Sequence, residues 1–464
     1  MTSTGHRFHP SILREYDVRG IVGETLAAAD AAALGRAFTL MAARNCRRAP
    51  RICVGRDGRL SSPELEEAVV DGIRRAGGDG VRIGLGPTPM LYFAANVLDV
   101  DAAVMVTGSH NPPSHNGFKM MIGRRPFFGE MIRELGRVAA EAGTPQRRGA
   151  VETVDLQNAY VGRLLQGLAG ADVSSLAVAW DPGNGAAGEI VRRLTLKLPG
   201  RHVLMNETID GRFPAHHPDP TEPRNLVQLQ GQVAEQRLDL GIAFDGDGDR
   251  IGAVDARGRI IWGDQLLAIL ARDVLQARPG ATIIADVKAS QALFDTIAAL
   301  GGRPLMWKTG HSLIKTKMAE TGAPLAGEMS GHIFFADGYY GYDDALFAAV
   351  RLLRSIVQAG RSLAELRDEL PTLASTPEIR IDCPDERKFA IVDQLRDRLA
   401  AEGATYDDTD GIRIAKDGGW WLLRASNTQA VLVARAEART EQELTGIMAD
   451  LRSRLSDLGV AMPA

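Results

Sequence analysis

Cysteine is scarce in these 464 residues: Cys46, Cys53 and Cys383 are scattered, odd in number and form no C-x-x-C pair. That excludes a disulfide framework and the usual zinc spacings, and it fits a reducing cytoplasm. A basic excess is also missing. Against 58 Asp and Glu stand 54 Lys and Arg, a formal net charge of −4, which argues against a nucleic-acid partner. No run reaches the ~18 apolar residues of a membrane span. The opening "MTSTGHRFHPSILREYD" has no apolar signal core, so a cytoplasmic chain with no membrane partner is expected, and the sequon at Asn206 reads as chance. What is present is ordinary globular material, 45% hydrophobic and 24% charged, enough for large cores in ~3 domains, give or take one.

Strand–helix–strand units recur. "RICVGRDGRLSSPELEEAVVDGIRRAGGDGVRIGL" predicts strands over 51–54 and 81–85 with a helix between. Ser62 can cap that helix with Pro63 in its first turn, and Gly77-Gly78 stops it. Leu65, Ala68, Val69, Ile73 and Ala76 follow helical spacing. "LAVAWDPGNGAAGEIVRRL" and "TIIADVKASQALFDTIAALGGRPLMW" repeat the design. Loop-rich stretches near 150 and 258 separate the units, which suggests repeated α/β domains in place of one large sheet. Beyond about residue 373 the pattern changes to antiparallel strands between helices over 384–399 and 440–458. The expected division is 1–153, 154–257 and 258–372 for α/β domains and 373–464 for an α+β domain.

Four loops carry possible chemistry. "TGSHNPPSHNG" puts Ser109 just after the apolar strand Ala102–Val106. Pro112 and Pro113 lack N–H groups and stiffen the loop, and strand ends are where α/β proteins hold ligands. The same residues also make ordinary turns. The hydrolase elbow G-x-S-x-G does not fit, because Thr107 and Asn111 stand at the outer glycine positions.

"LDLGIAFDGDGDRIGAVD" carries the strongest signal. Between apolar strands over 238–244 and 251–254, Asp245, Asp247 and Asp249 alternate with glycines. Three carboxylates that close repel unless a cation sits among them, and oxygen ligands favour Mg2+ or Ca2+. An EF-hand fails on spacing, since its sixth and twelfth positions would be Arg250 and Ala256. Arg250 beside the acids makes sense if a phosphate shares the metal.

"GEMSGH" sets Glu328, Ser330 and His332 at alternate positions, suited to a polyhydroxylated ligand, although His332 alone could be a core histidine. "KTGHSLIK" adds Lys308 and His311 at a helix entrance, a weaker signal. "RASNTQ" lines up Arg424, Ser426, Asn427 and Thr428 on a turn between apolar strands; guanidinium, hydroxyls and backbone amides together can cradle a phosphate.

In this order and at these separations, "TGSHNPP", "DGDGDR", "GEMSGH" and "RASNT" resemble the α-D-phosphohexomutase superfamily, over nearly the whole chain from "REYDVRG" onward. The resemblance implies three related α/β domains and a C-terminal α+β domain around a central active-site cleft. Ser109 then corresponds to the serine that carries the phosphoryl group and joins Asp245, Asp247 and Asp249 in holding one Mg2+. Glu328 and Ser330 match the sugar grip, and Arg424, Ser426, Asn427 and Thr428 the phosphate loop. Tyr16, Arg19, Lys119, Arg250, Lys288, His311 and His332 fall at cleft-lining positions. His332 and Lys119, with His311 behind them, are candidates for proton transfer, and the lysine would need neighbouring cations to push it toward neutrality.

The activity implied is interconversion of hexose 1- and 6-phosphates of mannose or glucose, through a phosphoserine and a hexose 1,6-bisphosphate. Partners would be small sugar phosphates, with the chain a monomer or weak homodimer. Met329 in "GEMSGH" resembles mannose/glucose enzymes more than phosphoglucosamine mutase. A silent sugar-phosphate-binding protein should have lost Ser109 or a carboxylate, and a Mg2+-dependent phosphatase would not need a second phosphate site.

Overall fold

Apolar, β-prone segments open each of the first three units as a central strand: Arg51–Arg56, Ala177–Asp181 and Thr282–Asp286. The computed structural model describes residues 5–44, 46–141, 148–416 and 418–463. In the first sheet the central strand pairs in parallel with Asp79–Leu85 and Ala102–Val106. The latter turns back antiparallel into His115–Ile122, which pairs antiparallel with Val18–Ile21. The second sheet repeats this, with Arg201–Leu204 and Leu240–Phe244 parallel to the centre, then Ile251–Asp255 and Ile260–Ile261 antiparallel. So does the third, through Arg303–Trp307, Leu325–Gly327, Ile333–Phe335 and Tyr342–Asp343.

This shared order has a direct consequence for the motifs. Ser109, the Asp245–Asp249 run and Glu328–His332 all sit at one topological place, the turn from the third parallel strand into its antiparallel return. The fourth sheet is antiparallel, and its "RASNT" turn joins Gly419–Ala425 to Val431–Ala438. Helices Asp385–Ala401 and Glu441–Ser456 flank it.

One apolar core runs through all three α/β units and includes Phe93, Trp180, Phe244, Leu267 and Phe347. The C-terminal sheet has its own, built on Trp421, Leu423, Leu432 and Leu451. A small patch of Val287, Trp420 and Leu422 links it to the third unit. Among the described residues no helix is long and apolar enough to cross a membrane.

Local expectations shift in places. The strand expected over 51–54 extends to Arg56, and the one before Asp245 starts at Leu240. Ser62 does not cap its helix. It is the first residue of Ser62–Arg75, and its hydroxyl donates to Asp57 Oδ1 (2.5 Å). A nearby buried carboxylate outcompetes the helix amides for that hydroxyl.

Candidate functional site

Ser109 is held in a left-handed backbone conformation, φ 49°, with its side chain almost fully buried. A non-glycine residue there is strained and persists only where its surroundings fix it. Arg59, itself buried, supplies that constraint. Its Nη2 donates to the carbonyls of Ser109 (2.8 Å) and Asn111 (2.5 Å), and its Nη1 to those of Pro112 (2.6 Å) and His115 (2.9 Å). Asp57 pairs with Arg59 Nε at 3.2 Å and accepts from Thr107 Oγ1 (2.9 Å) and Gly108 N (3.1 Å). The loop's shape thus comes from a buried ion pair one strand away as well as from its prolines.

Ser109 Oγ donates to Asp245 Oδ2 at 2.9 Å, across two domains of the chain. Asp245, Asp247 and Asp249 are all fully buried. Asp245 Oδ1 accepts from the amides of Asp249 (3.0 Å) and Arg250 (3.1 Å). Burial, then Asp249 and Asp247, push Asp245 well above the usual carboxylate range. Lys119 Nζ binds Asp247 Oδ2 (2.8 Å) and Asp249 Oδ2, while Thr88 Oγ1 donates to Asp247 Oδ2 (2.5 Å). Asp247 Oδ1 and Asp249 Oδ1 are buried without a hydrogen-bond partner. Leaving such oxygens unsatisfied is costly, and a hard cation beside Ser109 would satisfy them with an all-oxygen donor set. The three carboxylates therefore fit a divalent metal.

The expected weakening of Lys119's hold on its proton is reversed. Burial alone would lower its pKa, but Asp247 and Asp249 outweigh that and hold the ammonium well above its ordinary value.

The third unit brings its imidazoles to the same place. Arg250 Nε donates to His332 Nε2 (3.0 Å), so His332 Nδ1 carries the proton of the neutral ring and faces Asp343 Oδ2 at 3.1 Å. His311 stacks on His332 with ring centroids 5.7 Å apart. Burial and then Lys315 push His311 well below its ordinary value, which keeps it neutral. Lys315 holds the other oxygen of Asp343 at 2.9 Å. Glu328 Oε1 accepts from Gly310 N (2.6 Å), and burial raises the Glu328 carboxyl. Gly310 has φ 132°, and a Cβ there would strike the Tyr16 ring at 2.6 Å, so glycine is required. Ser330 sits half-buried in the same turn.

The C-terminal unit closes against these loops. Arg424 Nε donates to Asp410 Oδ2 (2.9 Å), which also accepts from Thr309 N (3.0 Å). Asn427 Nδ2 donates to Tyr16 OH (2.8 Å), and Tyr16 OH donates to Thr309 O (3.0 Å). Ser426 Oγ accepts from the amides of Thr428 (3.3 Å) and Gln429 (3.2 Å), folding the turn on itself, and the Thr428 side chain is exposed. Lys288 Nζ reaches Glu378 Oε2 at 3.0 Å. Arg19 Nη1 donates to Asn111 Oδ1 (2.9 Å) beside Ser109. Lys308, by contrast, is exposed.

Sequence reasoning missed Asp57, Arg59, Thr309, Asp343 and Asp410. Two signals were available: charged residues directly after an apolar strand in "CVGRDGR", and paired acids before an apolar helix in "YDDALF".

Comparison with known proteins gives one picture. Models of the phosphoglucomutase/phosphomannomutase alpha/beta/alpha domains I, II and III match residues 10–135, 158–258 and 262–373, and that of the C-terminal domain matches 378–454. The chain is 44% identical over 454 residues to the phosphomannomutase/phosphoglucomutase of Pseudomonas aeruginosa, covering 98% of this chain and 97% of that one. It is 41% identical over 440 residues to the phosphoglucomutase of Neisseria gonorrhoeae, covering 94% and 95%. The crystal structure of a phosphoglucomutase/phosphomannomutase family protein from Burkholderia thailandensis superposes with a TM-score of 0.91 at 41% identity, covering 98% and 100%.

Proposed function

The chain belongs to the phosphoglucomutase/phosphomannomutase family, and we propose that it interconverts the 1- and 6-phosphates of mannose or glucose with Ser109 as phosphoryl carrier. The observation that carries this reading is the Ser109 hydroxyl. It is buried and hydrogen-bonded to Asp245 in a carboxylate triad, on a residue held in a strained left-handed backbone conformation at a strand end. The three cysteines are unpaired, which supports a cytoplasmic setting.

With Ser109 phosphorylated, a hydroxyl of the bound hexose monophosphate attacks phosphorus. The sugar O–P bond forms, the Ser109 O–P bond breaks, and the hydroxyl proton passes to an imidazole. The resulting hexose 1,6-bisphosphate turns over in the cleft. Ser109 Oγ then takes the other phosphate, and the imidazole returns a proton to the oxygen left on the sugar. His332 or, behind it, His311 would accept that proton, the two rings stacking with centroids 5.7 Å apart. Lys119, an ammonium gripped by two carboxylates, and Arg250 set positive charge near the moving phosphoryl group. A Mg2+ held by Asp245, Asp247 and Asp249 would add charge neutralisation at the same oxygens.

Glu328 and Ser330 would orient the sugar hydroxyls. Arg424, Ser426, Asn427 and Thr428, with Tyr16 and Lys288, would hold the phosphate that is not reacting. Excluding water from the closed cleft protects the phosphoserine from hydrolysis.

The test is steady-state isomerisation of mannose, glucose and glucosamine 1-phosphates with Mg2+ and a trace of hexose 1,6-bisphosphate. Comparable turnover of mannose and glucose, lost in Ser109→Ala, is expected. Dominant glucosamine turnover would move the chain to the amino-sugar branch, and no turnover by folded protein would overturn the enzyme reading.

A further inference from the structure

Each α/β unit closes its central strand on a buried aspartate: Asp57 directly after Arg51–Arg56, Asp181 at the end of Ala177–Asp181 and Asp286 at the end of Thr282–Asp286. The neighbouring parallel strand is the one that leads into the motif loop, so the carboxylate stands beside that loop. In the first unit Asp57 Oδ2 accepts from one loop amide, Gly108 N (3.1 Å), and from one threonine hydroxyl, Thr107 Oγ1 (2.9 Å). The third unit repeats the pairing. Asp286 Oδ1 accepts from Met329 N (3.0 Å), inside the turn from Glu328 to His332, and Oδ2 from Thr309 Oγ1 (3.2 Å). Asp181 bonds elsewhere, to Gly183 N (3.0 Å), Asn206 Nδ2 (3.0 Å) and His216 Nε2 (2.8 Å), and the carboxylate run of its unit is folded by its own Asp245.

We propose that Asp286 is a positioning residue for the sugar grip: by tying the Met329 amide to Thr309 it fixes where Glu328 and Ser330 meet the hydroxyls of the hexose. The inference rests on the function proposed above for what that turn binds. Two links join the turn to the loop before His311. One is Glu328 Oε1 on Gly310 N (2.6 Å), and the other is Asp286. The first uses an oxygen of the gripping carboxylate itself, so only the second holds the turn independently of the group that must meet the sugar. Asp286 is in turn well anchored. Arg413 Nη1 donates to the carbonyls of Val287 (2.8 Å) and Ala289 (2.9 Å), and Arg435 Nη1 to that of Lys288, so the three residues after it are clamped from the last domain.

A binding group reads a ligand only when its supports hold it to about 0.5 Å. Without the Asp286 carboxylate the Met329 amide loses its partner, and the residue after Glu328 is free to shift. A carboxylate that merely stabilised the domain would, on removal, weaken every ligand alike. One that positions the grip would, on removal, erase the difference between ligands that carry a given hydroxyl and ligands that lack it. Relative affinity therefore separates the two roles.

The experiment is titration calorimetry of the full chain carrying Ser109→Ala, so that no phosphoryl transfer intervenes, against glucose 1-phosphate and its 2-, 3- and 4-deoxy analogues. In this parent at least one deoxy analogue should bind about tenfold more weakly, the scale of a hydrogen bond to a charged group. Adding Asp286→Ala should bring that ratio below about threefold. Asp286→Asn can still accept from Met329 N and donate to Thr309 Oγ1, and it should keep the parent's ratio. Circular dichroism identifies an alanine variant that fails to fold, and Thr309→Val, which removes only the Oδ2 bond, then decides by a fall in the same ratio. A parent that discriminates while Asp286→Ala keeps the ratio would overturn the inference alone, as would an asparagine variant that loses it as fully as alanine. A parent indifferent to every hydroxyl has no grip to position, and overturns the inference together with the sugar reading.

Discussion

At the scale of single residues, Gly246 shows how little room the site leaves. A Cβ at this position would lie 2.4 Å from the Ser109 carbonyl oxygen and 3.3 Å from Pro218 Cγ. Neither the backbone of the serine loop, fixed by Arg59, nor the proline ring can yield cheaply. Gly246→Ala is expected to lower kcat by about 100-fold, the scale that a displacement of roughly 1 Å costs in a positioned reaction. Its thermal unfolding should change far less. Steady-state kinetics beside calorimetry checks the split, and a kcat near wild type would mean that Ser109 need not sit where it does. Asp57 makes the complementary case. Removing it in Asp57→Ala leaves Arg59 charged and buried without its partner, which costs about 3–5 kcal/mol. Urea unfolding should show a loss of that order, together with loss of turnover.

At the scale of elements, the strands that carry the motifs were legible in the sequence because burial on both faces writes a continuous apolar run. Ala102–Val106 appears with its observed limits, and Leu240–Phe244 within two residues. The Asp triad was legible for a local reason, three acids within five positions. Asp343, Asp410 and Thr309 were not, because each acts on a partner far along the chain: Asp410 reaches Thr309 across about a hundred residues, and Asp343 reaches His332 from a different strand. Spacing cannot report contacts made by tertiary packing.

Glu378, just before the strand Ile379–Asp382, is a similar case, and it yields a pH prediction. Lys288 holds its carboxyl down at about 2, against an ordinary 4.5. Above 4.5 both folded and unfolded chains are ionised there and the ion pair contributes fully. As pH falls from 4.5 toward 2 the unfolded chain takes up the proton first, so the contribution is lost over that window. At most it is roughly 3 kcal/mol. Glu378→Gln should lower stability at pH 7 and flatten the decline between pH 4.5 and 2 relative to wild type. Calorimetry across that range checks it, and parallel curves would show that the pair contributes nothing.

At the scale of the whole molecule, the cores decide what can move. The first three units share one apolar cluster, so separating them would expose large buried side chains such as Trp180 and Phe347. The fourth unit has its own core and rides on the third. There Arg413 Nη1 donates to the carbonyls of Val287 (2.8 Å) and Ala289 (2.9 Å), and its guanidinium lies 3.7 Å over the Trp420 ring. That side is a polar clamp beside the apolar patch of Val287, Trp420 and Leu422. On the cleft side the fourth unit meets the first through Asn427 and the Tyr16 hydroxyl. A hydrogen bond is worth about 0.5–1.5 kcal/mol net, far less than an exposed core. Opening should therefore pivot on the Arg413 side and break at Tyr16.

Tyr16→Phe removes one hydroxyl that serves two such bonds, so the closed form should lose population. Because apparent affinity scales with the competent fraction, KM for the hexose phosphate is expected to rise roughly tenfold. Small-angle scattering of the ligand-free variant should give a larger radius of gyration than wild type, and saturating hexose 1,6-bisphosphate should bring the two together. A raised KM with identical radii would confine Tyr16 to a substrate contact. Equal radii with equal KM would mean that closure is set elsewhere, leaving the Arg413 clamp as the element to alter next.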